Sequence, residues 1–135
     1  MRPISLTKSE EKLMLFLWEK GKPLSVSEII AQWADNTWTK NYTRDIVRGL
    51  EEKGVVEFCG LAHNGKNYAR RFRTTLSKEE YYTQLAKHRG VTVSRMLQVE
   101  AVAMAEKGDR DGMEKLIHEL EEIIEEYRSR DDAQG

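Results

Sequence analysis

Apolar positions in the first half of the chain recur at helical spacing three times and then change to a strand period. Thr7-Lys8-Ser9-Glu10 is a capping box, whose hydroxyl and carboxylate can satisfy unpaired helix donors reciprocally. Leu13, Met14, Phe16, Leu17 and Trp18 follow as the core-facing side of a helix that ends at Gly21, and Pro23 bars continuation. A second box, Ser25-Val26-Ser27-Glu28, opens a shorter helix with Val26, Ile29, Ile30 and Trp33 turned inward, and Asp35-Asn36-Thr37 makes a turn. A third helix runs from Trp38 towards Gly54: Thr39 is placed as its N-cap, Ile46, Val47 and Leu50 share one side, and Gly54 supplies the stop. Helix, helix, turn, helix is a helix-turn-helix arrangement, for which about 55 residues suffice.

After Gly54, Val55 to His63 and Lys66 to Thr74 flank Asn64-Gly65, a strong hairpin signal because both central residues of a type I′ turn need positive φ. Asn67 and Gly60 leave the register open. The hairpin carries Lys66, Arg70, Arg71 and Arg73; it can lie as a wing along a sugar-phosphate backbone, or present the same residues as a solvated sheet face.

Ser77-Lys78-Glu79-Glu80 is a third box and opens a helix through about Arg89, broken by Gly90. Thr92 to Lys107 carries Val93, Met96, Leu97, Val99, Val102 and Met104, more than a surface helix needs. From Arg110 to Arg128, the residues Met113, Leu116, Ile117, Leu120, Ile123, Ile124 and Tyr127 form an apolar stripe. Its partner is either the Thr92–Lys107 helix or a second subunit. The expected protein is mainly α with a small β-hairpin wing. A winged helix-turn-helix head occupies 1–76 and a helical dimerisation region 77–130, joined through Met96, Met113, Leu116, Leu120, Ile123, Ile124 and Tyr127. Residues 131–135 are expected as a disordered tail.

Composition removes several classes of function. With 39% apolar residues among 135 the chain can bury a core. It shows no apolar stretch approaching ~20 residues and no secretory leader pattern, so a soluble cytoplasmic protein with no membrane partner is expected. The single cysteine, Cys59, rules out an internal disulfide framework and multi-cysteine zinc sites. It reads as a small hydrophobe on the wing, or as a redox-sensing thiol made more acidic by neighbouring cations. His63, His88 and His118 are scattered at spacings that make no metal set, so neither metal nor cofactor is expected. Glu121, Glu122, Glu125 and Glu126 flank the apolar stripe as a solvating face. With no phosphate loop, nucleophile elbow or metalloprotease motif, no enzymatic activity is expected.

Net charge is −1, but its distribution is uneven. Residues 1–76 carry 13 Lys and Arg against 9 Asp and Glu, whereas residues 77–135 carry 9 against 14. A basic head and an acidic arm fit an anion-binding division of labour. The third helix turns Asn41, Arg44, Asp45 and Arg48 outward, side chains able to bond base edges and phosphates in a major groove. Thr39, Lys40, Asn41, Tyr42, Arg44 and Arg48, with Lys66 and Arg70 of the wing, are therefore the candidate DNA-binding residues. The other class these features allow is a protein-interaction adaptor whose winged-helix head docks a protein.

Ser5-Leu6-Thr7-Lys8-Ser9-Glu10, Leu17-Trp18-Glu19-Lys20-Gly21, Ser27-Glu28-Ile29-Ile30, Trp38-Thr39, Leu50-Glu51-Glu52-Lys53-Gly54 and Ser77-Lys78-Glu79-Glu80-Tyr81 together resemble the penicillinase-repressor family (BlaI/MecI), which includes copper-responsive CopY repressors. The resemblance covers about residues 5–85. It implies a winged-helix head, a helical dimerisation tail, and cytoplasmic repression of bacterial promoters by a homodimer on palindromic double-stranded DNA operators; an unidentified inducer or sensor protein is a further expected partner. The chain departs from the family pattern in its third helix. Tyr42 and Thr43 stand where Thr and Val are usual, and Gly49 stands where a base is usual. A glycine there fits close approach of a DNA backbone, or no role at all; in either case Gly49→Ala is expected to stabilise the free protein. No Asn-Phe pair, the bond cut in β-lactam-responsive members, occurs in the chain, and the tail lacks the cysteine cluster of the copper-responsive ones.

Overall fold

The computed structural model describes residues 4–134, apart from the side chains of Asn64 and Gln134. Residues 1–3 of the expected head and Gly135 of the expected tail lie outside the described residues. The order of elements is α1 (Lys8–Lys20), β1 (Leu24–Ser25), α2 (Val26–Gln32), α3 (Lys40–Glu52), β2 (Val56–Asn64), β3 (Asn67–Thr74), α4 (Lys78–His88), α5 (Val93–Lys107) and α6 (Arg110–Gln134). The chain divides into two compact units, Met1–Arg89 and Gly90–Gly135.

In the first unit all three capping boxes form as the sequence implies, with Thr7, Ser25 and Ser77 as N-caps and Glu10, Glu28 and Glu80 reaching back to them. Leu13, Met14, Phe16 and Leu17 of α1 pack with Ile29, Val47, Leu50, Val55, Val56 and Phe72 as one buried cluster. Each such side chain contributes roughly 1.5–3 kcal/mol by leaving water. Ile30 departs from expectation: it is exposed, because α2 is only seven residues long and turns Ile29 alone fully into the core. The first unit ends after α4, later than residue 76, since Trp18 Nε1 donates to Leu76 O at 2.9 Å and Tyr81 is buried.

The sheet has the order β1-β3-β2, all antiparallel. β1 was not evident in the sequence; its Leu24 and Ser25 pair with Phe72 and Arg71 between Pro23 and the start of α2. The hairpin turn is displaced by one residue from the expected one. Asn64 pairs with Asn67, leaving Gly65-Lys66 as the loop, and only Gly65 has positive φ, at 65°. That is the requirement of a type II′ turn, which spares Asn64 and Lys66 a left-handed backbone. Cys59 is the extra residue of a β-bulge between the Phe58–Phe72 and Gly60–Arg71 pairs. It is half-buried, with its Sγ 3.6 Å from Arg71 O.

The second unit is the helix pair α5 and α6, which contact each other. Gly108 caps α5 with φ 71°. α6 continues to Gln134, so residues 131–134 of the expected disordered tail are helical. No residue of α5 is buried. Met113, Leu116 and Leu120 are half-buried, while Met96, Ile123, Ile124 and Tyr127 are exposed. Among the described residues no helix is long and apolar enough to cross a membrane.

Candidate nucleic-acid interface

The start of α3 is fixed by two threonines. Thr39 Oγ1 accepts from Tyr42 N at 3.1 Å, and the fully buried Thr43 donates its hydroxyl to Thr39 O at 2.9 Å. At the other end Gly54 N bonds Glu51 O and Val55 N bonds Leu50 O, the paired bonds of a Schellman motif. Val55 and Leu50, both buried, make the apolar contact that accompanies it. This motif turns the chain from α3 directly into β2 and so sets where the wing lies.

Between α3 and β3 lies an open groove of about 370 Å³, lined by Lys40, Arg44, Arg48 and Glu51 from the helix and by Tyr68 and Arg70 from the wing. Val47 and Phe72 close its floor against the core. On the helix Lys40, Asn41, Arg44 and Arg48 are exposed, held only by light contacts. Arg44 Nη1 donates to Asn41 Oδ1 at 3.3 Å, and Arg48 lies 3.9 Å from Asp45. Exposed pairs of this kind contribute little, so these side chains can re-aim.

Two of the expected contact residues are engaged elsewhere. Thr39 spends its hydroxyl on the cap. Tyr42 turns back towards α1: its hydroxyl is 2.7 Å from Ser9 Oγ and its ring packs edge-on to Trp38 with centroids 5.0 Å apart. Phe16, Trp33, Trp38 and Tyr42 form a continuous aromatic run, and the Lys12 ammonium sits over both tryptophans. This run ties α1 to the entrance of α3, where Tyr42 departs from the family pattern.

The basic wing residues divide by their partners. Arg71 grips Glu28 through two bonds of 2.9 Å, and that bond, against a smaller desolvation cost, holds the Glu28 carboxyl at about 2. Arg73 pairs with Glu57 at 2.7 Å. Arg70 bonds Glu51 of α3 at 3.0 Å. Lys66, at the turn, makes no ion pair among the described residues and is exposed. Of the four, Lys66, Arg70 and Arg73 are exposed with donors to spare, and Arg70 is the one that lines the groove, whereas Arg71 anchors the sheet to α2.

Gly49 faces α1. A Cβ built there would lie 2.7 Å from Glu10 Oε2, so neither close approach of DNA nor indifference explains the glycine. Burial raises the Glu10 pKa, but bonds from Lys53 and the Thr7 backbone outweigh it and leave the carboxyl below its ordinary value.

Glu51 and Tyr68 were missed in the sequence reading of the groove. Both carry a signal there: Glu51 follows Arg44 and Arg48 on the same helical face, and Tyr68 alternates with Arg70 and Phe72 along one strand face. Among the described residues no group of three His, Cys, Asp or Glu is placed to hold a metal ion.

A helix-turn-helix followed by a hairpin that walls a basic groove beside its third helix defines a winged-helix protein of the DNA-binding class. The penicillinase repressor family model matches residues 6–126, across both units, and the chain belongs to that family of transcriptional repressors. Among curated proteins none matches it.

Proposed function

We propose that the chain is a sequence-specific repressor that binds a palindromic bacterial operator as a homodimer in the cytoplasm, without enzymatic activity. α3 enters the major groove with Asn41, Arg44 and Arg48 towards base edges, while Lys40, Lys66 and Arg70 meet phosphates. The observation that carries this reading is the groove between α3 and β3, which gathers four cations, Lys40, Arg44 and Arg48 from the helix and Arg70 from the wing, with one acid, Glu51. The dimer is supported by the second unit. No residue of α5 is fully buried, and Val99, Val102, Ile123, Ile124 and Tyr127 stay 48–57% exposed, an apolar surface that a second copy of the same helix pair would cover. Titrating a labelled duplex with the intact chain over a salt series tests the DNA contact. Affinity that falls steeply with salt is expected, because each phosphate neutralised releases counterions. Affinity insensitive to salt would leave the adaptor reading instead.

A further inference from the structure

Glu51 is the one carboxylate among the described residues that line the basic groove. It stands on the last turn of α3, on the face of Arg44 and Arg48, and its Oε2 accepts from Arg70 Nη2 across the groove. We infer that Glu51 is an internal stand-in for a DNA phosphate: it holds Arg70 in the free protein and yields it to a backbone phosphate when a duplex enters. This rests on the DNA-binding reading above and adds a step to it.

Arg70 does not depend on Glu51 for its place. Its guanidinium carbon lies 4.8 Å from the Phe58 ring centre and 5.0 Å from that of Phe72, so two rings support it from the sheet. A guanidinium presents the same donor edge to a carboxylate and to a phosphate, and the exchange therefore needs no change in its position. The pair is also easy to open. Its side chains are 53% and 35% exposed, in the range where an ion pair contributes little. Arg71 is the contrast: two bonds to Glu28, itself part of the α2 capping box, commit it to the fold. A phosphate seated between α3 and β3 would face the Glu51 charge, and giving up Arg70 converts that repulsive site into a binding one. Glu51 thus lowers affinity for every duplex alike and keeps the wing cation neutralised until DNA arrives.

The test compares intact wild type, Glu51→Gln, Arg70→Ala and the double variant on one mixed-sequence duplex across a salt series, with thermal unfolding to confirm folding. Glu51→Gln is expected to tighten binding about two- to fivefold, the worth of an exposed ion pair, and to steepen the salt slope. Arg70→Ala should weaken binding and flatten the slope by about 0.9 per head, with the larger loss in the Glu51→Gln background. Weaker or unchanged binding by Glu51→Gln would overturn the inference, making Glu51 a clamp or a bystander. If Glu51→Gln does not fold, an unchanged slope for Arg70→Ala overturns it equally. Absence of salt-dependent binding by wild type would instead overturn the DNA reading itself.

Discussion

Gly49 and Glu10 meet face to face: a methyl group on Gly49 would sit 2.7 Å from Glu10 Oε2. Glu10 is 5% exposed and cannot swing away freely, since its Oε1 accepts from Thr7 N at 2.8 Å and from Lys53 Nζ. Replacing an interior helical glycine by alanine ordinarily gains about 1 kcal/mol. Here Gly49→Ala is expected to lower stability instead, and in a Glu10→Ala background to raise it by about that amount. Denaturant unfolding of the four proteins measures the coupling; additive effects would contradict the contact.

The ion pair between Glu28 and Arg71 sets a pH dependence. The Glu28 carboxyl titrates at about 2 in the folded chain against an ordinary 4.5, chiefly through its bond to Arg71. Above 4.5 it is ionised in both states and the pair contributes in full. As pH falls from about 4.5 to about 2, the unfolded chain takes up the proton first and the contribution is lost. Glu10, lowered in the same sense, adds to the loss. Thermal unfolding across this range should show a steeper decline for wild type than for Glu28→Gln; parallel curves would contradict it.

On α3, Arg44 is exposed and lightly held, so it is the residue expected to read a base. Arg44→Ala should cost roughly 1–3 kcal/mol on the operator and relax sequence preference there. Lys66→Ala should weaken all duplexes alike and flatten the salt slope by about 0.9 per head. Competition between operator and random DNA separates the two; equal loss on both for Arg44→Ala would remove it from base readout.

In the second unit Ile124 is 48% exposed, whereas Leu120 is half-buried within a single chain. Ile124→Asp is therefore the cleaner probe, leaving the helix pair intact while placing a charge in the proposed joint between copies. Sedimentation should give a dimer for wild type and a monomer, with weakened operator binding, for the variant. A wild-type monomer at micromolar concentration would contradict the dimer.

The helices were legible in the sequence because their signals are local. Thr7, Ser25 and Ser77 with their glutamates mark three starts, and Gly21, Gly54 and Gly90 mark stops. The second use of those glutamates was not legible: Glu10 also binds Lys53 across α1 and α3, and Glu28 also binds Arg71 across α2 and β3, contacts 43 residues apart. β1 escaped notice since two residues carry no period, and Gly65 placed the turn one residue late because the pairing of Asn64 with Asn67 decides it. For the candidate site, Arg44 and Arg48 followed from helical spacing alone. The diversion of Tyr42 to Ser9 and the pairing of Arg70 with Glu51 depend on how α1 and the wing pack beside α3, which no local pattern encodes.

Selection of binding sequences from a pool of randomised duplexes by the intact chain tests the central claim most directly. A homodimer placing one α3 per half-site should enrich an inverted repeat, its half-site centres separated by about 10–10.5 base pairs or a multiple. Enrichment of a single unrepeated motif, or of none, would contradict a symmetric repressor that reads DNA through α3.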